Sequence, residues 1–131
     1  MEIPLTIADY LDRAERGYGD RIAANDEPDQ PAPPLPDITY SRLAELSRGM
    51  ATGFDELGLE TGARVAMVSH NAARLLVFLF GSSAYGRVGV PINFRLSTPE
   101  IQYILDHSGA EVLFIDPELA EQHGSFNVKH Q

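Results

Sequence analysis

Apolar positions change rhythm along this chain, and the changes mark out its elements. Between Arg64 and Ile115, short apolar runs alternate with helical spacings. Arg64-Val65-Ala66-Met67-Val68 is brief and largely apolar, as strands buried on both faces are, and Val88-Gly89-Val90 and Glu111-Val112-Leu113-Phe114-Ile115 read as the second and third core strands. Asn71 to about Tyr85 is apolar nearly all round, which predicts a helix covered on several sides. Ser97-Thr98-Pro99-Glu100 has the spacing of a capping box, with proline early in the first turn. The helix it opens buries Ile101, Ile104 and Leu105 and ends near Ser108-Gly109. Strand, helix, strand, helix, strand predicts an α/β fold built on a parallel βαβαβ unit with flanking helices.

The flanking segments follow from the same reading. Thr6 caps a helix to about Arg16, with Ile7, Tyr10, Leu11 and Ala14 on one face, and Gly17-Tyr18-Gly19-Asp20 ends it. Arg21–Ala24 predicts a short strand. Residues 25–37 are acidic and proline-rich, which predicts a stiff, exposed loop. Thr39 caps a helix over Tyr40–Leu57, with Leu43, Leu46, Met50, Phe54 and Leu57 on one stripe and Gly58 as its C-terminal cap. Pro91 marks the place where the second core strand stops. Asp116-Pro117 opens a last short helix through about Glu121. The layout is one partial domain over 1–131. It divides into an opening helix and strand (6–24), the proline-rich loop (25–37), an α/β core (38–116), and a short helix with an irregular tail (117–131).

Composition narrows the function classes. A net charge of -9 argues against nucleic acid and against an anionic membrane surface, both of which need clustered Lys and Arg. With no cysteine, thiolate metal sites, disulfides and cysteine nucleophiles are excluded. Met1-Glu2-Ile3-Pro4-Leu5 has neither the basic region nor the apolar core of a secretory signal. The apolar run Leu75–Phe80 is bracketed by Arg74 and Arg87, too close together for a spanning helix of about 20 residues. An acidic cytoplasmic protein is expected.

Candidate chemistry is sparse. A phosphate cradle needs a glycine loop between strand and helix. Gly17-Tyr18-Gly19 follows a helix instead, and Gly86-Arg87-Val88-Gly89 leads into a strand. These glycines read as helix ends and close-packing points. Adjacent Asp106 and His107 point in different directions on one helix, which is poor metal-ligand spacing. His70, His123 and His130 read as isolated surface or capping histidines. Ser69 lacks the glycines of a nucleophile elbow and reads as a cap. Asp116 and Glu118 follow a strand end, a position open to function, but read first as helix N-terminal carboxylates. No catalytic, cofactor-binding or metal-ligating residue is assigned.

Four stretches in order carry a family resemblance. They are Ile38-Thr39-Tyr40-Ser41-Arg42-Leu43, then Gly62-Ala63-Arg64-Val65-Ala66-Met67 with Asn71, then Ala84–Asn93, then Glu100–Ala110. Together they resemble the N-terminal part of the AMP-forming adenylate synthetases, the acyl-CoA ligase family. Arg42 stands where that family usually has Glu, and Ala63 where Asp is usual. Tyr85 replaces a small residue before the turn glycine. Asn93-Phe94-Arg95-Leu96 is similar to acyl- and aryl-CoA ligases rather than to amino-acid-adenylating domains.

The resemblance implies a parent reaction in two steps. ATP activates a fatty or aromatic carboxylic acid as its acyl-adenylate, and coenzyme A then displaces AMP. ATP, Mg²⁺ and CoA are thus implied for the parent enzyme, and no cofactor is expected on this chain. The family's phosphate loop, acidic Mg²⁺ residues and catalytic lysine find no match here. The sole lysine is Lys129, in a stretch read as lacking family pattern. An N-terminal ligase fragment, inactive alone, is the leading expectation. Its partner would be the remainder of the ligase, or a second copy through exposed apolar surface. The alternatives are a non-enzymatic α/β interaction module, or a small-ligand-binding domain using the strand ends near Ser69 and Asn93. The tail Gly124–Gln131 brings the only Lys and has no helical or strand period. It reads either as an ordinary frayed terminus or as the product of a frameshift or artificial junction. Its removal is then expected to change stability by less than roughly 0.5 kcal/mol.

Overall fold

The computed structural model describes residues 6–131. Met1–Leu5, read above for a secretory signal, lie outside them. The predicted alternation is present. Strand β3 (Arg64–Val68) leads to helix α3 (Ala73–Ser83), strand β4 (Val88–Ile92), helix α4 (Thr98–Ser108) and strand β5 (Ala110–Ile115). The three strands form one parallel sheet in the order β4-β3-β5. Upstream lie α1 (Ile7–Tyr18), β1 (Ile22–Ala24), β2 (Ile38–Thr39) and α2 (Tyr40–Glu56), and downstream lies α5 (Pro117–His123).

Side-chain alternation along the central strands divides the core into two. Val65, Met67 and Val112 join Phe54 of α2 and Phe78 of α3 on one face of the sheet. Ala66, Val68 and Leu113 join Ile101 and Leu105 of α4 and Leu119 of α5 on the other. Strands β3 and β5 are therefore covered on both faces, as runs apolar on both faces require, whereas β4 is exposed at Val88 and Pro91 and fully buried only at Ile92. Phe54 and Phe78 each meet Phe114 edge-on, with ring centroids 6.1 Å apart. A third cluster, with Leu11, Ile38, Leu43, Ala44, Ala73 and Val77, binds α1 to the outside of α2 and α3. Helices α2 and α3 pack closely because Gly81 has no side chain. A Cβ there would lie 2.8 Å from Met50 Sδ.

Several expectations need correction. Helix α3 starts at Ala73, not Asn71, because Ala72 is still extended (φ -144°, ψ 164°), and it stops at Ser83 rather than Tyr85. Ile7 and Tyr10 are exposed and only Leu11 of that face is fully buried, since α1 is an outer helix. Leu57 is also exposed, one residue past α2. Pro91 lies inside β4, opposite Met67. A proline is tolerated there because β4 is an edge strand of this sheet, with its other side unpaired among the described residues. Ile38–Thr39 forms an antiparallel pair with β1, a contact no local pattern announced.

The tail gives the largest correction. Phe126 is buried in the same core cluster as Ile101 and Leu113, with Val128 packed against it. His130 runs parallel to β5 beside Val112; its N–H donates to the Glu111 carbonyl and its carbonyl accepts from the Leu113 N–H. Asn127 exchanges bonds with the side chain of Gln102 on α4. A segment without period still orders here. The edge of β5 offers unpaired backbone groups, and one phenylalanine has a place to go.

Candidate functional site

Parallel strands place their carboxyl ends together, so the residues after β3, β4 and β5 converge at one end of the sheet. From β3 come Ser69, His70 and Asn71. From β4 come Asn93, Phe94 and Arg95. From β5 come Asp116 and Glu118. A cavity of about 580 Å³ opens among the first two groups, lined by His70, Asn71, Asn93, Phe94, Arg95 and Pro31 in part. The His70 ring lies on Phe94 at 4.2 Å, and the Arg95 guanidinium covers Phe94 at 5.3 Å. Asn93 Oδ1 accepts from the Arg95 N–H and so shapes the loop.

Asp116 is the pivot of the cluster: it stands at the N-cap position of α5, but its carboxylate does not serve that helix as its position suggested. Its carboxylate makes no capping bond to α5. It is 2% exposed and turns back toward the sheet. Oδ2 accepts from Ser69 Oγ (2.8 Å) and from the His70 N–H (2.9 Å), and Oδ1 faces Arg74 Nη1 at 3.3 Å. Ser69 is likewise a donor to Asp116 rather than a cap. His70 is not isolated, since its Nε2 faces Glu118 Oε1 at 3.7 Å. The other histidines stay apart from this end: His107 stacks on Tyr103, His123 Nδ1 pairs with Thr98 Oγ1, and His130 serves the tail. Asp106 accepts from Gln102, and Lys129 pairs with Glu111 on the surface.

The geometry does not suit a nucleotide phosphate. The N-terminus of α3, directly after β3, is where a doubly wound sheet would hold one. Here Asp26, reaching in from the proline-rich loop, already takes the Ala73 N–H at 2.7 Å, while its other oxygen takes the Leu35 N–H at 2.9 Å. The N-terminus of α4 is closed by Glu100, which accepts from the Ser97 N–H and hydroxyl; these bonds hold its carboxyl below the usual carboxylate range. Both helix starts after β3 and β4 thus carry a carboxylate of this chain, and an incoming phosphate would meet negative charge. The residues at these two helix starts do not fit the phosphates of ATP.

Sequence reasoning missed Asp26 and the pairing of His70 with Glu118. Asp26 lies far along the chain from the helix it caps, so no local spacing signals it. His70 and Glu118 meet only because β3 and β5 are neighbours, in register from Val68 to Ile115.

Comparison with known proteins agrees with the architecture. The family model for AMP-binding enzymes matches residues 11–130, so the tail read as departing from the family lies within its pattern. A feruloyl-CoA synthase from an Amycolatopsis species is 40% identical over 84 residues, covering 64% of this chain and 17% of the relative. A long-chain-fatty-acid–CoA ligase from Thermus thermophilus is 32% identical over 124 residues, covering 91% of this chain and 21% of the relative. The solved N-terminal domain of FACL13 from Mycobacterium tuberculosis superposes with a TM-score of 0.76 at 26% identity, over 95% of this chain and 32% of that one. A long-chain-fatty-acid-CoA ligase from Archaeoglobus fulgidus shares the fold, with a TM-score of 0.83 at 23% identity, over 99% of this chain and 27% of that one. The chain spans about a fifth or less of the length of these two curated relatives. With the parallel sheet, its helical layers and the family pattern in agreement over residues 11–130, the chain belongs to the AMP-binding enzyme family.

Proposed function

We propose that this chain forms N-terminal scaffold of an AMP-forming acyl-CoA ligase and does not activate carboxylic acids by itself. The observation that carries the reading is the family match across residues 11–130, in a chain whose helix starts after β3 and β4 are closed to phosphate. The whole ligase would convert a fatty or aromatic acid to its CoA thioester, in the cytoplasm, using ATP, Mg²⁺ and CoA. The relatives' names, feruloyl-CoA synthase and long-chain-fatty-acid–CoA ligase, support that acid class. Among the described residues no helix is long and apolar enough to cross a membrane.

Two measurements test this. The purified chain, free of host ligases, is expected to show no ATP–pyrophosphate exchange with any carboxylic acid, because the described residues offer no preorganised donors for the phosphoryl transition state. Exchange above the blank overturns the inactive-alone reading. The scaffold role is tested by a chimaera in which residues 11–130 replace the matching segment of the Thermus thermophilus ligase. It should fold and retain exchange activity. A folded but inert chimaera refutes the scaffold role.

A binding surface accompanies this reading. Ile7, Tyr10, Tyr18 and Ile22 are all exposed around α1 and β1, and Val88 is exposed on the open β4 edge. Apolar side chains beside an unpaired strand invite association. The partner is the rest of a ligase domain or, failing that, a second copy. The isolated chain should therefore bind a hydrophobic dye and show concentration-dependent sedimentation. A strictly monomeric, dye-silent chain counts against this.

A further inference from the structure

We propose that His70, Asp116 and Glu118 form a binding site for one divalent transition-metal ion of the zinc class. The inference stands apart from the scaffold reading and needs none of the ligase chemistry. Donor atoms of the three residues all lie within 4.8 Å of one another. Bonds of about 2.1 Å at tetrahedral angles place donors about 3.4 Å apart. The His70 Nε2 to Glu118 Oε1 separation is 3.7 Å, and closing the site asks side-chain torsions to bring the Asp116 oxygen in from within 4.8 Å.

Two further features point to an ion rather than a simple ion pair. Glu118 Oε1 is shut away from solvent and accepts no hydrogen bond, although its side chain as a whole is 35% exposed. A buried carboxylate oxygen without a donor is costly. Its nearest cationic candidate, His70 Nε2, stands beyond hydrogen-bond range. An ion between them would satisfy both. The outer shell is also in place. Ser69 Oγ and the His70 N–H fix Asp116, and Phe94 fixes the His70 ring, as partners of ligating residues do. Arg74 faces Asp116 Oδ1 and opposes a cation, but one guanidinium against two carboxylates leaves the cluster negative. One imidazole and two carboxylates select zinc-like ions over Mg²⁺ or Ca²⁺, which prefer oxygen alone. The cavity lined in part by Ser69 and His70 brings solvent up to the histidine of the cluster.

The test uses the full, metal-stripped chain and Zn²⁺ or Co²⁺ alone. Calorimetry with Zn²⁺ should show one ion per chain, and Co²⁺ should give visible absorption. His70→Ala and Glu118→Gln should each weaken binding at least about tenfold, while His107→Ala leaves it unchanged. Excess Mg²⁺ should not displace the ion. In the unaltered chain, substoichiometric Co²⁺ should broaden the His70 ring resonances first, which keeps the test valid if a variant misfolds. Absence of saturable binding overturns the site. So does binding that survives both substitutions, or broadening confined to other histidines.

Discussion

Asp116→Ala should lower unfolding free energy by about 3 kcal/mol, one of the two largest effects expected here. The substitution removes the acceptor for Ser69 and the His70 N–H and leaves Arg74, itself largely buried, facing no carboxylate. Breaking one partner of a buried pair costs about 3–5 kcal/mol, and the partial exposure of Arg74 favours the lower end. Asp116→Asn should cost less, because its amide oxygen still accepts from Ser69 or His70. Urea unfolding in the presence of a chelator measures this without any contribution from a bound ion. A loss below about 1 kcal/mol for the alanine variant would mean that the cluster relaxes freely and that Asp116 ties nothing together.

The second large effect lies in the tail. Phe126→Ala should cost about 3 kcal/mol, in the range for an aromatic core truncation. Deleting residues 124–131 should cost at least as much, since it also uncovers the β5 edge. Lys129→Ala serves as the contrast: its pairing with Glu111 is exposed, and such pairs contribute about 0–1 kcal/mol. If the deletion is silent and the truncated chain unfolds at the same denaturant concentration, Phe126 is not part of the working core.

These two sites show where sequence reading succeeds and where it stops. The βαβαβ order was legible because each of its elements has its own period and its own punctuation. The Thr39 cap, Gly58 with φ 72° and Gly109 with φ 63° act within a few residues of their targets. What failed was long-range. Asp26 reaches Ala73, Asp116 reaches Ser69, and His130 reaches Glu111; each contact is set by strand neighbours that no local window contains. The sequence locates Asp116 at a strand end but does not reveal its partner. Its side chain had two ways to find donors, and the sheet offered better ones than its own short helix. The burial of Phe126 is hidden from the sequence for a related reason. A lone aromatic has no period, yet one is enough to fill a gap between α4 and the sheet.

The strand order carries a consequence for how the chain emerges from the ribosome. β3 sits between β4 and β5, and of these two neighbours β4 is made before β5. The β3-α3-β4 unit can close once Ile92 has cleared the ribosome, with Leu113 and Ile115 still inside it. For roughly one to five seconds at usual elongation rates, the other edge of β3 stays bare and Ala66 and Val68 lack their β5 and α5 cover. That interval, more than the finished fold, is when a chaperone or a neighbouring nascent chain has access to the central strand.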